Sequence, residues 1–180
     1  MIEIRDEVIR ITKAYMTQKQ RVSFSVGIKA VPKGRPRFSK GGHAYTPERT
    51  REFEEKIRAV GQAKLTNPVA YPVMVTVLIQ EVLPESRGGI EQILAELELI
   101  SPLVGDLDNK VKAITDALNG IAYYDDSQIA MIVSKKVYGL INKITVTIER
   151  CGLSAVEIDR LKKTIKGRHE QANRSGGPVG

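Results

Sequence analysis

Residues 105–126 restrict what this chain can fold into more than any other stretch. Gly105-Asp106-Leu107-Asp108-Asn109-Lys110-Val111-Lys112 leads into apolar positions Val111, Ile114 and Leu118 at helical spacing, which predicts a helix from about Asn109 to Leu118. Asn119-Gly120 ends it, because glycine adopts the left-handed backbone of a helix end at little cost. Asp125 and Asp126 follow, on a loop that can fold back toward the helix start. Four carboxylates and Lys112 then surround one helix in a chain of net charge +7. Two carboxylates ~5 Å apart repel by roughly 3 kcal/mol at an effective dielectric of ~20. Such a gathering calls for a cation.

Asp106 and Asp108 stand two residues apart, so in an extended segment both side chains leave on one side. Lys112 lies one helical turn beyond Asp108, and Asp116 one turn further on the same face. Hard oxygen donors select magnesium or manganese over softer metals. An ion of that kind can lower the pKa of water and offset charge growing on a phosphate. Lys112 suits a supporting role at the leaving oxygen, and Asn109 can ligate the ion or brace a carboxylate. Each piece alone has a plainer role. Asp108 is a good N-cap, Asp125-Asp126-Ser127 a good turn, Lys112 and Asp116 ordinary helix-surface residues, and Tyr123 and Tyr124 packing residues. Caps and turns do not require Asp106 as well, and the combination points to a metal-assisted phosphodiester chemistry.

Charge distribution identifies the class of partner. Between Val31 and Arg51 six cations (Lys33, Arg35, Arg37, Lys40, Arg49, Arg51) face one acid, Glu48. A second cluster comprises Arg160, Lys162, Lys163, Lys166 and Arg168. The first suggests a polyanion, attracted through its phosphates and weakened by salt; the second alone reads as solvated surface charge. A single cysteine, Cys151, excludes an internal disulfide and a thiolate-rich zinc site. His43 and His169 form no pair with ligand spacing. No run reaches the ~18 apolar residues of a membrane helix, and the N-terminus lacks a signal peptide's pattern, so a cytoplasmic location is expected.

At 180 residues the chain suits one domain. Ile4, Val8, Ile11 and Tyr15 form one helical stripe within residues 1–19. Val22 to Ala30 alternates as a half-buried strand, and residues 31–46 read as a loop. Thr46-Pro47 should open a helix reaching about Lys64, with Thr46 as its cap. Val73 to Val82 is a β-branched strand. After Arg87-Gly88-Gly89, residues Ile90, Ile93, Leu94 and Leu97 suggest a short acidic helix. Residues 129–138 and 141–148 read as two strands of a hairpin through Gly139. Ser154 and Glu157 form a capping box for a last helix to about Lys166, before a frayed tail. Strands and helices mix without strict alternation, which predicts an α+β fold with a small mixed sheet packed against helices.

The stretch Gly105-Asp-Leu-Asp-Asn-Lys-Val-Lys-Ala-Ile-Thr-Asp-Ala-Leu-Asn-Gly, followed by Tyr123-Tyr-Asp-Asp-Ser-Gln-Ile, closely resembles the signature of the RusA family of Holliday junction resolvases. Val31-Pro-Lys-Gly-Arg-Pro-Arg-Phe and Tyr45-Thr-Pro are similar to that family's basic N-terminal segment. The resemblance implies a RusA-like, homodimeric, magnesium-dependent endonuclease that cuts four-way DNA junctions, in many members of phage or prophage origin. It places metal-binding aspartates on Asp106, Asp108 and Asp126 and a required lysine on Lys112. Asp125 matches an acidic position beside the third ligand. Lys33, Arg35, Arg37 and Lys40 are expected to meet DNA. On this reading residues 1–21 form a helical extension, 22–150 the nuclease domain, and 151–180 a C-terminal helix with a disordered tail. The insert at 84–104 and both terminal extensions depart from the family pattern. A flap- or branch-selective nuclease, and a junction-binding module without turnover, are the competing expectations.

Overall fold

Val73–Val82 (β4) is the strand around which the sheet is built, and its residues explain why. Val73, Val75, Val77 and Ile79 are fully buried on one face, while the residues between them are half-buried on the other. A strand this apolar is best placed between two partners. It pairs antiparallel with Lys143–Arg150 (β6) and parallel with Ile129–Gly139 (β5). Arg21–Val26 (β1) adds to the far side of β6, giving a mixed sheet of order β1-β6-β4-β5. The structure is a computed structural model that describes residues 2–17, 20–35, 37, 38 and 42–175.

The hairpin expected from residues 129–148 is therefore corrected: β5 and β6 do not pair but flank β4 on either side. Adjacent strands lie ≈ 4.8 Å apart, so the link need span only ~10 Å, within reach of three extended residues. Asn142 caps the crossing by accepting from the Val82 amide at 3.2 Å.

Two helices cover one face of the sheet. Glu48–Lys64 (α2) contributes Phe53 and Ile57, and Leu107–Leu118 (α4) contributes Val111, Ile114 and Leu118. They close over Phe24, Val26, Ile144, Val146 and Ile148 in one core. Each such side chain, fully buried, stabilises by about 1.5–3 kcal/mol. The opposite face of β1 and β6 is polar, with Ser23 paired to Thr147 and Ser25 to Thr145, each at 2.9 Å. That is the alternation expected of β1, although the strand ends at Val26 and the chain leaves the sheet before Ala30.

Pro47, not Thr46, stands at the N-cap of α2, with extended backbone and no side-chain cap bond. The preceding basic segment packs on this helix start. A Cβ on Gly34 would stand 2.9 Å from Pro47 Cγ and 3.0 Å from Thr50 Oγ1, so only glycine fits there without displacement. The loop of 31–46 also holds a two-residue ladder, Arg37–Phe38 (β2) with Ala44–Tyr45 (β3). Ile90–Glu96 (α3) lies in the acidic insert.

Ile2–Met16 (α1) packs against Ala155–Ser175 (α5), tied by an ion pair between Glu7 and Arg168. Ser154 and Glu157 form the expected capping bonds at the start of α5, which extends past Lys166. Lys162 and Lys166 pair with Asp159 and Glu170 within that helix, in keeping with a solvated role for the C-terminal cluster. The single α+β domain expected from the sequence stands.

Candidate active site

The first turn of α4 sets the geometry. The helix starts two residues earlier than the periodicity predicts, so Asp106 is its N-cap and Asp108 lies within its first turn. Asp106 makes no cap bond; Asn109 Nδ2 donates to its Oδ2 at a long 3.4 Å. A carboxylate at Asp108 is favoured by the positive end of the helix dipole. From there Asp108, Lys112 and Thr115 run along one face at i, i+4 and i+7.

Across from this face the chain returns as anticipated. Gly120, at φ 74°, turns it, and its amide donates to the Tyr123 carbonyl at 2.8 Å. Tyr123 is fully buried, and its hydroxyl donates to the Thr115 carbonyl at 2.7 Å, which fastens the returning loop under α4. Burial pushes the Tyr123 phenol well above its ordinary pKa, aided by the charges of Asp126 and Asp116. Tyr123 is thus a packing residue, whereas Tyr124 is exposed.

Adjacent acids then take different roles. Asp125 caps a short 3-10 turn, Asp126–Gln128: its Oδ1 accepts from the Ser127 amide at 2.9 Å, and Gln128 Oε1 accepts from the Asp125 amide in return. The Ser127 hydroxyl and amide hold the Asp125 carboxyl below its usual range. Asp126 instead lines a cleft of about 430 Å³ together with Asp108, Val111, Lys112, Thr115, Ile129, Ile132 and Ser134. Neither Asp108 nor Asp126 accepts a hydrogen bond or ion pair among the described residues.

The convergence of three carboxylates is corrected to two. No group of three acidic, histidine or cysteine side chains is close enough to hold a metal among the described residues, and Asp106 does not line the cleft. The early helix start is the reason. An N-cap and a residue two further into a helix point in different directions, unlike the same-side pair of an extended strand. The donors that do meet, two unpartnered carboxylates with hydroxyls beside them and neither sulfur nor imidazole, fit a hard divalent cation.

Lysines and arginines are sorted by the same fold. Lys112 Nζ approaches Asp116 Oδ1 at 3.5 Å and remains exposed at the cleft. Asp116 is no mere surface residue, because its other oxygen takes Lys33 Nζ at 2.8 Å. Lys33 also reaches Glu54 Oε1 at 2.7 Å. Burial opposes the Lys33 charge, yet the bonds to Asp116 and Glu54 outweigh it and raise its pKa. Lys33 therefore braces the basic segment against α2 and α4. Arg35 is exposed. Arg37 is placed in β2, but its side chain and all of Lys40 lie outside the described residues.

Two features escape a reading of the sequence alone. Lys29, Arg49 and Lys56, with the acid Glu52, line a groove of about 290 Å³ between the basic segment and α2, and none of the three cations has an ion-pair partner among the described residues. The i, i+7 spacing of Arg49 and Lys56 was the available signal. Lys110 is buried in an ion pair with Glu81. Its place four residues before Ile114, on the apolar side of α4, was the clue.

No helix among the described residues is long and apolar enough to cross a membrane. Residues 27–149, which include the whole cleft, match the family model described as Endodeoxyribonuclease RusA. The chain is also 31% identical over 136 residues to the uncharacterized protein YqaN of Bacillus subtilis (strain 168), an alignment covering 71% of this chain and 94% of that relative. The basic segment, the cleft and this match agree: the chain belongs to the RusA family of endodeoxyribonucleases.

Proposed function

We propose that the protein is a magnesium-dependent endonuclease that resolves four-way DNA junctions as a homodimer. The observation that carries this is the pair Asp108 and Asp126, unpartnered among the described residues and lining one cleft with Lys112 in a basic chain. Asp108 and Asp126 would hold the cation. When bound, magnesium or manganese supplies an acidified water and offsets charge on the phosphate.

The chain's own residues do the rest. Lys112 brings a cation to the cleft, suited to the phosphate or the departing oxygen. Asp116 orients Lys112 by accepting from it at 3.5 Å. Val111, Ile129 and Ile132 give the cleft an apolar wall, which reduces screening and strengthens every charge interaction within it. Arg35, Arg37 and Lys40 of the basic segment, together with Lys29, Arg49 and Lys56 at its groove, hold the DNA backbone. Two symmetric cuts call for two related active sites, hence the two-fold dimer.

The test is cleavage of a synthetic four-way junction with magnesium, set against EDTA and Asp108→Asn, with light scattering of the same sample. Paired symmetric cuts by a species of twice the chain's mass, lost in both controls, are expected. Equal cutting of flaps and forks would make it a branch-selective nuclease instead. Salt-sensitive binding without products would make it a binding module.

A further inference from the structure

Lys110 and Glu81 take no direct part in the cleft. Lys110 is 4% exposed and Glu81 8%, and the Lys110 ammonium donates to Glu81 Oε1. Lys110 leaves α4 about 200° around the axis from Asp108, toward the sheet. Glu81 stands near the end of β4, on the face that carries the core valines. Removing two charges from water is expensive, and an apolar pair of similar volume would serve stability as well or better. A pair kept for stability alone is thus poorly explained. Direction is what an ion pair has and an apolar contact lacks.

Three further contacts converge on the same turn. Gly105, at φ 79°, lies so close to the Lys110 side chain that a Cβ would stand 3.1 Å from both Cε and Nζ. Lys136 Nζ donates to the carbonyls of Gly105 at 2.5 Å and Val104 at 3.3 Å. On the other side, the Lys33 amide donates to the Asn109 carbonyl at 2.8 Å. The residues flanking Asp106 and Asp108 are fastened from both sides.

We infer that Lys110 and Glu81 are positioning residues: their bond fixes where the first turn of α4 sits on β4, and so holds Asp108 in register with Asp126 for a divalent cation. This rests on the metal reading of the cleft proposed above. The double variant Lys110→Met with Glu81→Leu removes the pair without changing net charge, so a change in cation affinity cannot come from an altered total charge. Manganese is titrated into wild type and variant and followed by the paramagnetic resonance of the free ion. Uptake weaker by about tenfold or more is expected in the variant, as for other residues that orient ligands, while its urea midpoint does not fall. Amide exchange in the metal-free variant should quicken over residues 106–112. Junction cleavage should lose turnover with KM unchanged. Undiminished manganese affinity with unaltered exchange overturns the inference. A variant whose urea midpoint falls along with its affinity makes the pair purely structural, which overturns it too. A wild type that takes up no manganese overturns the metal reading itself, and this inference with it.

Discussion

Asp125 and Asp126 are adjacent and chemically alike, yet the 3-10 turn that starts between them gives them opposite duties. Asp125 spends its carboxylate on the Ser127 amide, and Asp126 faces the cleft. Asp125→Asn should therefore leave junction cleavage near wild type, while Asp126→Asn should abolish it; equal losses in a cleavage assay would contradict this assignment. Lys112→Ala should slow turnover by about 10²-fold, as for loss of one charge-stabilising group, with junction binding retained in a shift assay. Breaking the Lys110–Glu81 pair on one side only is a different matter. Lys110→Met strands a buried carboxylate and should lower stability by about 3–5 kcal/mol in urea unfolding. At the start of α5, Arg150 and then Ser154 hold the Glu157 carboxyl down at about 2. Because that pKa is lowered on folding, its contribution is present above the ordinary carboxylate range and disappears as pH falls toward 2. Glu157→Gln should flatten the rise of stability with pH over that window, measured by thermal unfolding; an unchanged slope would remove Glu157 from the acid response.

At the scale of elements, the basic segment is more divided than its composition suggests. Lys33 is committed to Glu54 and Asp116 and serves as a brace, while Lys29, Arg49 and Lys56 line an open groove. Replacing those three with alanine should reduce the salt slope of junction binding by about 0.9 for each phosphate they cease to neutralise. Lys162→Ala, Lys163→Ala and Lys166→Ala together remove the same charge from α5 and should change the slope far less; equal effects would reduce the groove to a share of net charge. Most elements were legible in the sequence because their signals are local. The periods of α1, α2 and α4, the β-branched run of β4 and the Ser154-Glu157 box all lie within one segment. The pairing of β5 with β4 was not legible. Both β5 and β6 alternate well enough for a hairpin, and only the burial of β4 on both edges decides that it stands between them. The start of α4 was missed by two residues because Leu107 is apolar and Asp106 and Asp108 both suit a helix N-terminus.

For the molecule as a whole, the sheet and helices bring together residues that the sequence keeps apart. Val69 and Ala122, Tyr123 and Thr115, and Lys33 and Asn109 are bonded pairs that tie other segments to α4 and to the loop that follows it. That Asp108 and Asp126 line one cleft was legible, since Gly120 and a short loop bring the chain back toward α4. The standing apart of Asp106 was not, because it depends on one turn of helix geometry. Buried Lys110 was hidden by the ordinary expectation that lysines are solvated. The central claim, that Asp108 and Asp126 together hold a divalent cation, is tested most directly by titrating manganese into wild type, Asp108→Asn and Asp126→Asn and counting bound ions. Saturable uptake by wild type that either substitution abolishes is predicted; uptake unaffected by both substitutions, or absent from wild type, would contradict it.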